Sequence, residues 1–253
     1  MRTIDINCDM GESFGVYRLG EDEAVVPFIT SANIACGLHA GDPLVMQATV
    51  RLAVKHGIRI GAHPGYPDLQ GFGRREMRLA PEEAEALVLY QVAALQGFAR
   101  AEGQEITHVK PHGALYNQSA KDAVLAAAIA RAVRRFSREV ILVGLAGSLL
   151  IEAGLEAGLS VSREAFPDRT YEPDGNLRPR SAPGAVISDP QKAAANGLRL
   201  AREGIEFMKD GKKETYPVDT LCVHGDTPGA VEIARTLRRS LESASFTLHG
   251  KNA

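Results

Sequence analysis

Runs rich in Ile, Val or Ala repeatedly break off into short bursts of polar and glycine residues, each followed by a helix-like stretch. The bursts are Asn7-Cys8-Asp9-Met10-Gly11-Glu12, Cys36-Gly37-Leu38-His39-Ala40-Gly41-Asp42, Ala62-His63-Pro64-Gly65-Tyr66-Pro67-Asp68 and Val109-Lys110-Pro111-His112-Gly113. A fifth, Val223-His224-Gly225-Asp226, comes near the end. Chemistry repeated at the same point of successive strand-to-helix units is what an active site on one face of a parallel β/α fold requires. The pattern therefore points to an enzyme.

The strand candidates are Thr3–Asn7, Ser31–Ala35, Arg59–Ala62, Thr107–Lys110, Glu139–Val143, Ser160–Ser162 and Thr220–Val223. They are short and apolar, as buried parallel strands tend to be. Helical periodicity separates them. In Pro81–Glu102, Val88, Val92, Leu95 and Ala99 share one face, and in Lys121–Arg135 Val124, Ala128 and Ala132 do the same. Asp42-Pro43, Asp189-Pro190 and Thr227-Pro228 each set a capping side chain before a proline. Gly57, Gly103 and Gly158 follow the expected ends of three helices.

Strand and helix alternate along 253 residues without a linker, a length natural for one (β/α) barrel domain of residues 1–253. An open doubly wound sheet shares that alternation. The spread of polar strand ends from Asn7 to His224 favours the barrel, because only there do all of them meet at one rim. Two long connections, Gly65–Ala80 and Arg163–Ser188, carry Arg, Asp, Gly and aromatic residues and read as binding loops.

A net charge of −2 gives no electrostatic case for nucleic acid or an anionic membrane. No apolar run reaches the roughly 20 residues that span a bilayer, and the N-terminus enters a strand at once. Three isolated cysteines, Cys8, Cys36 and Cys222, read as small buried residues of a reducing cytoplasm. There is no phosphate loop, no Gly-x-Gly-x-x-Gly after a strand and no Gly-x-Ser-x-Gly elbow.

Asp9 and Glu12, just past the first strand, are candidates for metal binding, water activation or proton transfer. His39, His63, His112 and His224 follow four different strands, and imidazole binds divalent metal or acts as a base near neutral pH. Asp9 with two of these histidines would make a metal site, though spacing does not choose the pair. Asp42 reads as a cap, whereas Asp226 stands free of that duty. Lys110 is expensive to bury without a partner and is expected to meet a carboxylate or an oxyanion. Arg163, Arg169, Arg178 and Arg180 have the planar fork that clamps carboxylate or phosphate. Arg169 could equally pair with Asp168 to brace its loop.

These segments, in this order, resemble the LamB/YcsF family. The resemblance is carried by Asp5–Glu12, Asn33–Asp42, Gly61–Pro64, His108–Asn117, Glu164-Ala165-Phe166 with Asp168-Arg169, Pro179-Arg180 and Cys222–Asp226. It covers nearly the whole chain and departs locally at Pro167, where an alanine is usual. It implies an irregular TIM-like (β/α) barrel of about seven parallel strands, related to polysaccharide-deacetylase-like barrels. It also implies the work of one component, the first, of an ATP-dependent 5-oxoprolinase. With partner subunits B and C, that enzyme opens the lactam of 5-oxo-L-proline to L-glutamate while hydrolysing ATP. Asp9, Glu12, His39, Lys110, His112, His224 and Asp226 are then the catalytic candidates. Asn7, Asn33, Arg163, Glu164, Asp168, Arg169 and Arg180 are the candidates for holding substrate. Deacetylase-like barrels hold a divalent metal on one aspartate and two histidines, which on this chain would be Asp9, His63 and His112.

Two other readings stay open. One is an ATP-independent, metal-dependent amide or N-acetyl hydrolase using the same residues; the other is a non-catalytic subunit that binds a small carboxylic acid. Self-association is compatible with all three.

Overall fold

The structure, a computed structural model, describes every residue except Met1, Ser181, Asp210, residues 226–228 and residues 250–253. Strand β1 (Arg2–Met10) leads through a short helix α1 (Asp22–Val25) to β2 (Ser31–Ala35), α2 (Pro43–His56), β3 (Arg59–His63), α3 (Pro81–Ala101) and β4 (His108–Val109). Two helices, α4 (Gly113–Ser119) and α5 (Ala123–Phe136), precede β5 (Ile141–Leu145), α6 (Leu149–Glu156), β6 (Val161–Ala165) and α7 (Pro190–Glu203). The chain continues through β7 (Ile205–Lys209), β8 (Lys212–Tyr216), β9 (Thr220–Val223), α8 (Ala230–Ser243) and β10 (Phe246–Leu248).

Strands β1 to β6 pair in sequence order, β9 joins β6, and β9 returns to β1. All these pairings are parallel, so seven strands close into a barrel. The seam at β1 is divided: Asp5–Cys8 pair with β9, and Arg2–Ile4 pair with β10. Strands β7 and β8 form an antiparallel hairpin outside the barrel. Neither that hairpin nor β10 is among the sequence-derived strands.

Alternation along the strands divides inside from outside. On β1, Ile4, Ile6, Cys8 and Met10 are fully buried and join the apolar cluster shared with the helices. The intervening Asp5, Asn7 and Asp9 point into the barrel, where Asn7 reaches Glu164 on β6. The same rule turns Ser31 and Asn33, His63, His108, Glu164, Thr220 and Cys222 inward. Parallel barrels usually fill their interior with branched apolar side chains. This one lines much of it with hydrogen-bonding groups, joined by Ile141 and Val143 of β5, and its main apolar core lies in the layer between strands and helices.

The expected helix boundaries have physical counterparts. Asp42 accepts N–H bonds from Leu44 and Val45, and Asp189 accepts one from Lys192. Gly57, Gly103 and Gly158 take the left-handed backbone that ends three helices. Thr227-Pro228 lies outside the described residues. Val88, Val92, Leu95 and Ala99 are wholly buried on α3. Val124 is exposed, contrary to the four-residue spacing read for α5. A strict step of four drifts about 40° per step around a 3.6-residue helix, and the buried stripe follows Leu125, Ala128, Ile129, Ala132 and Val133 instead. Among the described residues, no helix is long and apolar enough to cross a membrane.

Candidate functional site

The floor of the site is built around one buried cation. The Lys110 ammonium lies just past β4, 3.0 Å from Asp9 Oδ1 and 2.9 Å from Glu164 Oε1. It also lies 3.0 Å from Cys222 Sγ and 3.3 Å from Asn7 Oδ1. Burial opposes its charge, yet Asp9, Cys222 and Glu164 outweigh that cost and hold Lys110 well above the ordinary lysine value. Burial likewise opposes ionisation of Asp9, but the neighbouring His63 and Lys110 hold its carboxyl well below the usual range. With three protons facing four acceptors, Lys110 has no donor to spare. It acts on the pocket as a fixed positive charge, and so depressed a carboxylate as Asp9 is a weak base.

Beside this floor, His39, His63 and His112 come together from the ends of three strand-to-helix units, with the Glu12 carboxylate adjoining. His63 Nδ1 lies 2.7 Å from the Lys110 carbonyl and His112 Nε2 lies 2.8 Å from the Phe72 carbonyl. A carbonyl only accepts, so each of those nitrogens carries the proton. The other two, His63 Nε2 and His112 Nδ1, face each other across 3.0 Å. Burial, helped by the nearby His63, pushes His112 down to about 3 and keeps it neutral. When His63 is neutral as well, two lone pairs converge, with Asp9 Oδ2 at 3.4 Å from His63 Nε2 and Glu12 Oε1 at 3.7 Å from His112 Nδ1. Outer nitrogens fixed by carbonyls and inner nitrogens aimed at a common point are the arrangement metal-binding imidazoles use. The donor set fits a divalent cation. His39 stacks on His112 at 3.8 Å, and neither of its ring nitrogens has a hydrogen-bond partner among the described residues. Burial holds it neutral, well below the ordinary histidine value.

Across the pocket stands a second imidazole. His224 Nδ1 lies 2.9 Å from Asp168 Oδ2, and the ring stacks on Phe166 at 5.2 Å. An ionised Asp168 only accepts, so it orients the ring with Nδ1–H toward itself; in the neutral imidazole Nε2 then carries the lone pair. A histidine oriented this way by a carboxylate is poised for proton transfer. Asp168 therefore meets His224 rather than Arg169, and it does not reach the pocket as a substrate contact. Arg169 binds the carbonyls of Arg178 and Ala185 and braces the loop with its backbone.

Asp9, Glu12, His63, Lys110, His112 and His224 line a cavity of about 240 Å³ together with Arg74, Arg169, Arg178 and Arg180. Both long connections contribute: Arg74 comes from the first, and Phe166, Arg169 and Leu177–Arg180 from the second. Five cationic side chains thus face two carboxylates, so the cavity suits an anionic ligand. Its size is below the roughly 300–1,000 Å³ of pockets for larger ligands.

Several residues expected to touch substrate lie elsewhere. Arg163 is held by a two-pronged ion pair to Asp219 on the side of β6 away from the cavity. The reading as a carboxylate clamp is right in kind and wrong in partner, since Asp219 is the carboxylate. Asn7, Asn33 and Glu164 sit beneath the floor and are committed to one another, to Asp9 and to Lys110. Asp226 falls outside the described residues. Conversely, His108 is absent from the sequence-derived candidates, although it lies two positions before Lys110 and therefore on the same inward face.

The family model of the LamB/YcsF family matches residues 4–252. The A subunit of a 5-oxoprolinase from Methylococcus capsulatus is 58% identical over 240 residues, covering 95% of this chain and 92% of that protein. Its counterpart from Symbiobacterium thermophilum is 54% identical and covers 100% of this chain and 97% of that protein. The crystal structure of a lactam utilization protein from Thermus thermophilus superimposes with a TM-score of 0.90 at 48% identity, covering 98% of this chain and 99% of that one. A polysaccharide deacetylase from Bacillus cereus shares the fold at a TM-score of 0.50 and 10% identity, over 100% of this chain and 93% of that one.

Proposed function

The chain belongs to the LamB/YcsF family, and on that premise we propose that it is the lactam-opening component of a cytoplasmic ATP-dependent 5-oxoprolinase working with subunits B and C. The observation that carries this reading is the opposition of two devices across one small cationic pocket. On one side is the Lys110 floor with Asp9; on the other is the Asp168–His224 pair.

A five-membered lactam is a poor electrophile because nitrogen donates into its carbonyl. Transfer of the γ-phosphoryl of ATP to the amide oxygen removes that donation and releases ADP. Water then adds at the ring carbon, with His224 Nε2 taking its proton. Collapse breaks the carbon–nitrogen bond as the His224 proton passes to the departing nitrogen; the added hydroxyl gives up its proton, which the freed amine takes, and γ-glutamyl phosphate results. A second water releases phosphate and leaves glutamate, so two waters are consumed in all. Lys110 favours the developing negative charge through its field, and Arg180 and its neighbours take the carboxylate and phosphoryl anions. A cavity of about 240 Å³ suits the five-membered ring better than a whole nucleotide, which supports ATP chemistry shared with the partner subunits. Where a divalent cation binds, Asp9, His63 and His112, with Glu12 beside them, would hold it, and it would supply Lewis-acid polarisation of the carbonyl and of water.

The test is release of glutamate and ADP from 5-oxoproline and ATP by this chain alone and by the chain with its partner subunits. Release only in the full mixture, lost in Asp168→Asn, supports the reading. Full turnover by the isolated chain would refute the division of labour. The inward-facing nitrogens of His63 and His112 favour one second reading, the ATP-independent metal-dependent amide hydrolase. Amide hydrolysis without ATP that chelation abolishes would establish it instead.

A further inference from the structure

Beneath the pocket floor, the hydrogen bonds inside the barrel run in one direction, and the direction can be worked out atom by atom. Asn33 Nδ2 lies 2.8 Å from Asp9 Oδ1 and 2.7 Å from Asn7 Oδ1. Its Oδ1 lies 2.9 Å from His108 Nε2. Turned the other way, the Asn33 amide would set its oxygen against the Asp9 carboxylate, two acceptors in contact. Its two hydrogens are therefore spent on Asp9 and Asn7, and its oxygen must receive a proton from His108 Nε2. Burial pushes His108 down to about 3 and keeps the ring neutral, which leaves Nδ1 with its lone pair; the Thr107 hydroxyl, 2.8 Å from it and 3.2 Å from the Ile60 carbonyl, turns its one hydrogen to the nearer of these two acceptors. Asn7 in turn gives one hydrogen to Glu164 Oε1 at 2.9 Å and one to Thr220 Oγ1 at 2.7 Å. Thr220 passes its own to Asp5 Oδ2 at 2.6 Å.

Space for the histidine is provided by a single residue. Gly61 is its partner across the β3–β4 pairing. A Cβ at that position would stand 2.0 Å from His108 Nε2. Here glycine is needed for room and not for its torsion, since the ring occupies the place a side chain would fill. His108, Asn33 and Asn7 are all buried, so a hydrogen-bonding group left without its partner there has no easy substitute.

We propose that His108 is a positioning residue for the reaction: as an Nε2–H tautomer it fixes the Asn33 amide, which in turn fixes the Asp9 carboxylate between Lys110 and the imidazoles. His108 does not line that cavity, so it acts through Asn33 and Asp9. Without its donor, the Asn33 oxygen is orphaned and the amide loses its reason to face Asp9. The floor of the pocket then loosens while the arginines at its mouth stay in place.

The tautomer is tested on the chain alone. In ¹⁵N-histidine-labelled protein, the signal absent from His108→Gln identifies the residue, and it is expected to be protonated on Nε2 only. Protonation on Nδ1 would overturn the proposal. The kinetic arm rests on the lactam-opening reading and uses the complete assembly. His108→Leu removes the donor and is expected to lower kcat by about ten- to a hundredfold with KM within about twofold. His108→Gln, which returns an N–H near the same place, is expected to recover most of that loss. Equal losses in both variants, or a folded Leu variant with unchanged kcat, would overturn it. If the Leu variant does not fold, the tautomer decides. If no assembly opens the lactam, the functional reading fails while the tautomer result still stands.

Discussion

Lys110→Met removes the charge that holds two buried carboxylates together while leaving a side chain of similar reach. The ammonium side chain is 3% exposed, and Glu164 and Asp9 are 0% and 11% exposed, so solvent screens the trio little. Stranding a buried charge by deleting its partner costs about 3–5 kcal/mol. For a chain of this size each kcal/mol moves Tm by about 2–4 °C, so the expected fall is about 6–20 °C at neutral pH. The pH dependence carries the mechanism. In the native protein Asp9 is depressed, so its contribution is present above the ordinary aspartate value and lost as pH falls through its folded value. Lys110 is elevated, so its contribution holds below the ordinary lysine value and is lost only as pH rises through the folded one. In the variant an orphaned carboxylate binds its proton more tightly folded than unfolded. Its stability therefore rises as pH drops from 7 towards 5, a range in which Asp9 gives the parent no trend because its contribution is lost only below the ordinary aspartate value. Adding Glu164→Gln should recover stability, with a coupling of about 0.5–3 kcal/mol. Thermal melts across pH measure all of this. A Lys110→Met protein melting within about 2 °C of the parent, or one that Glu164→Gln destabilises further, would refute the electrostatic account of the floor.

Asp168→Asn should lower kcat of the complete assembly by about 10²–10⁴-fold with KM little changed, because it replaces the carboxylate that orients His224 with a neutral amide that can donate to Nδ1 and impose the other tautomer; steady-state kinetics measure it. Burial raises Asp22 from 3.8 to about 6 despite the N–H bond from Gly11. Its folded form therefore holds a proton the unfolded chain releases, and parent stability should decline relative to Asp22→Asn between about pH 4 and 6 and run parallel above. Phe207 stacks on Tyr216 at 4.6 Å, and a Cβ at Gly175 would approach its ring to 2.5 Å. Phe207→Ala should cost about 3–5 kcal/mol and raise KM, because the hairpin backs the loop that carries Arg178 and Arg180. Calorimetry and substrate titration read the two effects separately.

The rim of the barrel was legible because its chemistry follows each strand in sequence, as with His63, Lys110-Pro111-His112 and His224. The helix starts at Asp42 and Asp189 were legible for a similarly local reason, a capping carboxylate before proline. What lay inside the barrel was harder to read. Asp5, Asn7 and Asp9 alternate with Ile4, Ile6, Cys8 and Met10, a period-two signal that marks inward polar positions and would have placed His108 and Glu164 beneath the floor. The pairing of Arg163 with Asp219 joins residues 56 apart, and no local pattern signals such a contact. Strands β7 and β8 escaped because Lys, Glu and Thr dominate them. Their apolar members, Ile205, Phe207, Met208 and Tyr216, are too few to set a period, and Met208 falls out of the alternation.

The divided seam at β1 has a consequence for how the chain is made. Strand β1 leaves the ribosome before the other barrel strands and finds β2 early on one edge. Its other edge waits for residues 220–223 and 246–248. At about 5–20 residues per second, the stretch from Asp5 to its β9 partner Thr220 takes roughly 11–43 s to emerge. For nearly all of that time an incomplete sheet shows an open border, and with it the Asp9 and Asn7 positions that β9 will later enclose. Closure waits for β9, so a nascent chain truncated before β9 keeps an unprotected strand edge, the state most exposed to mispairing and to capture by chaperones.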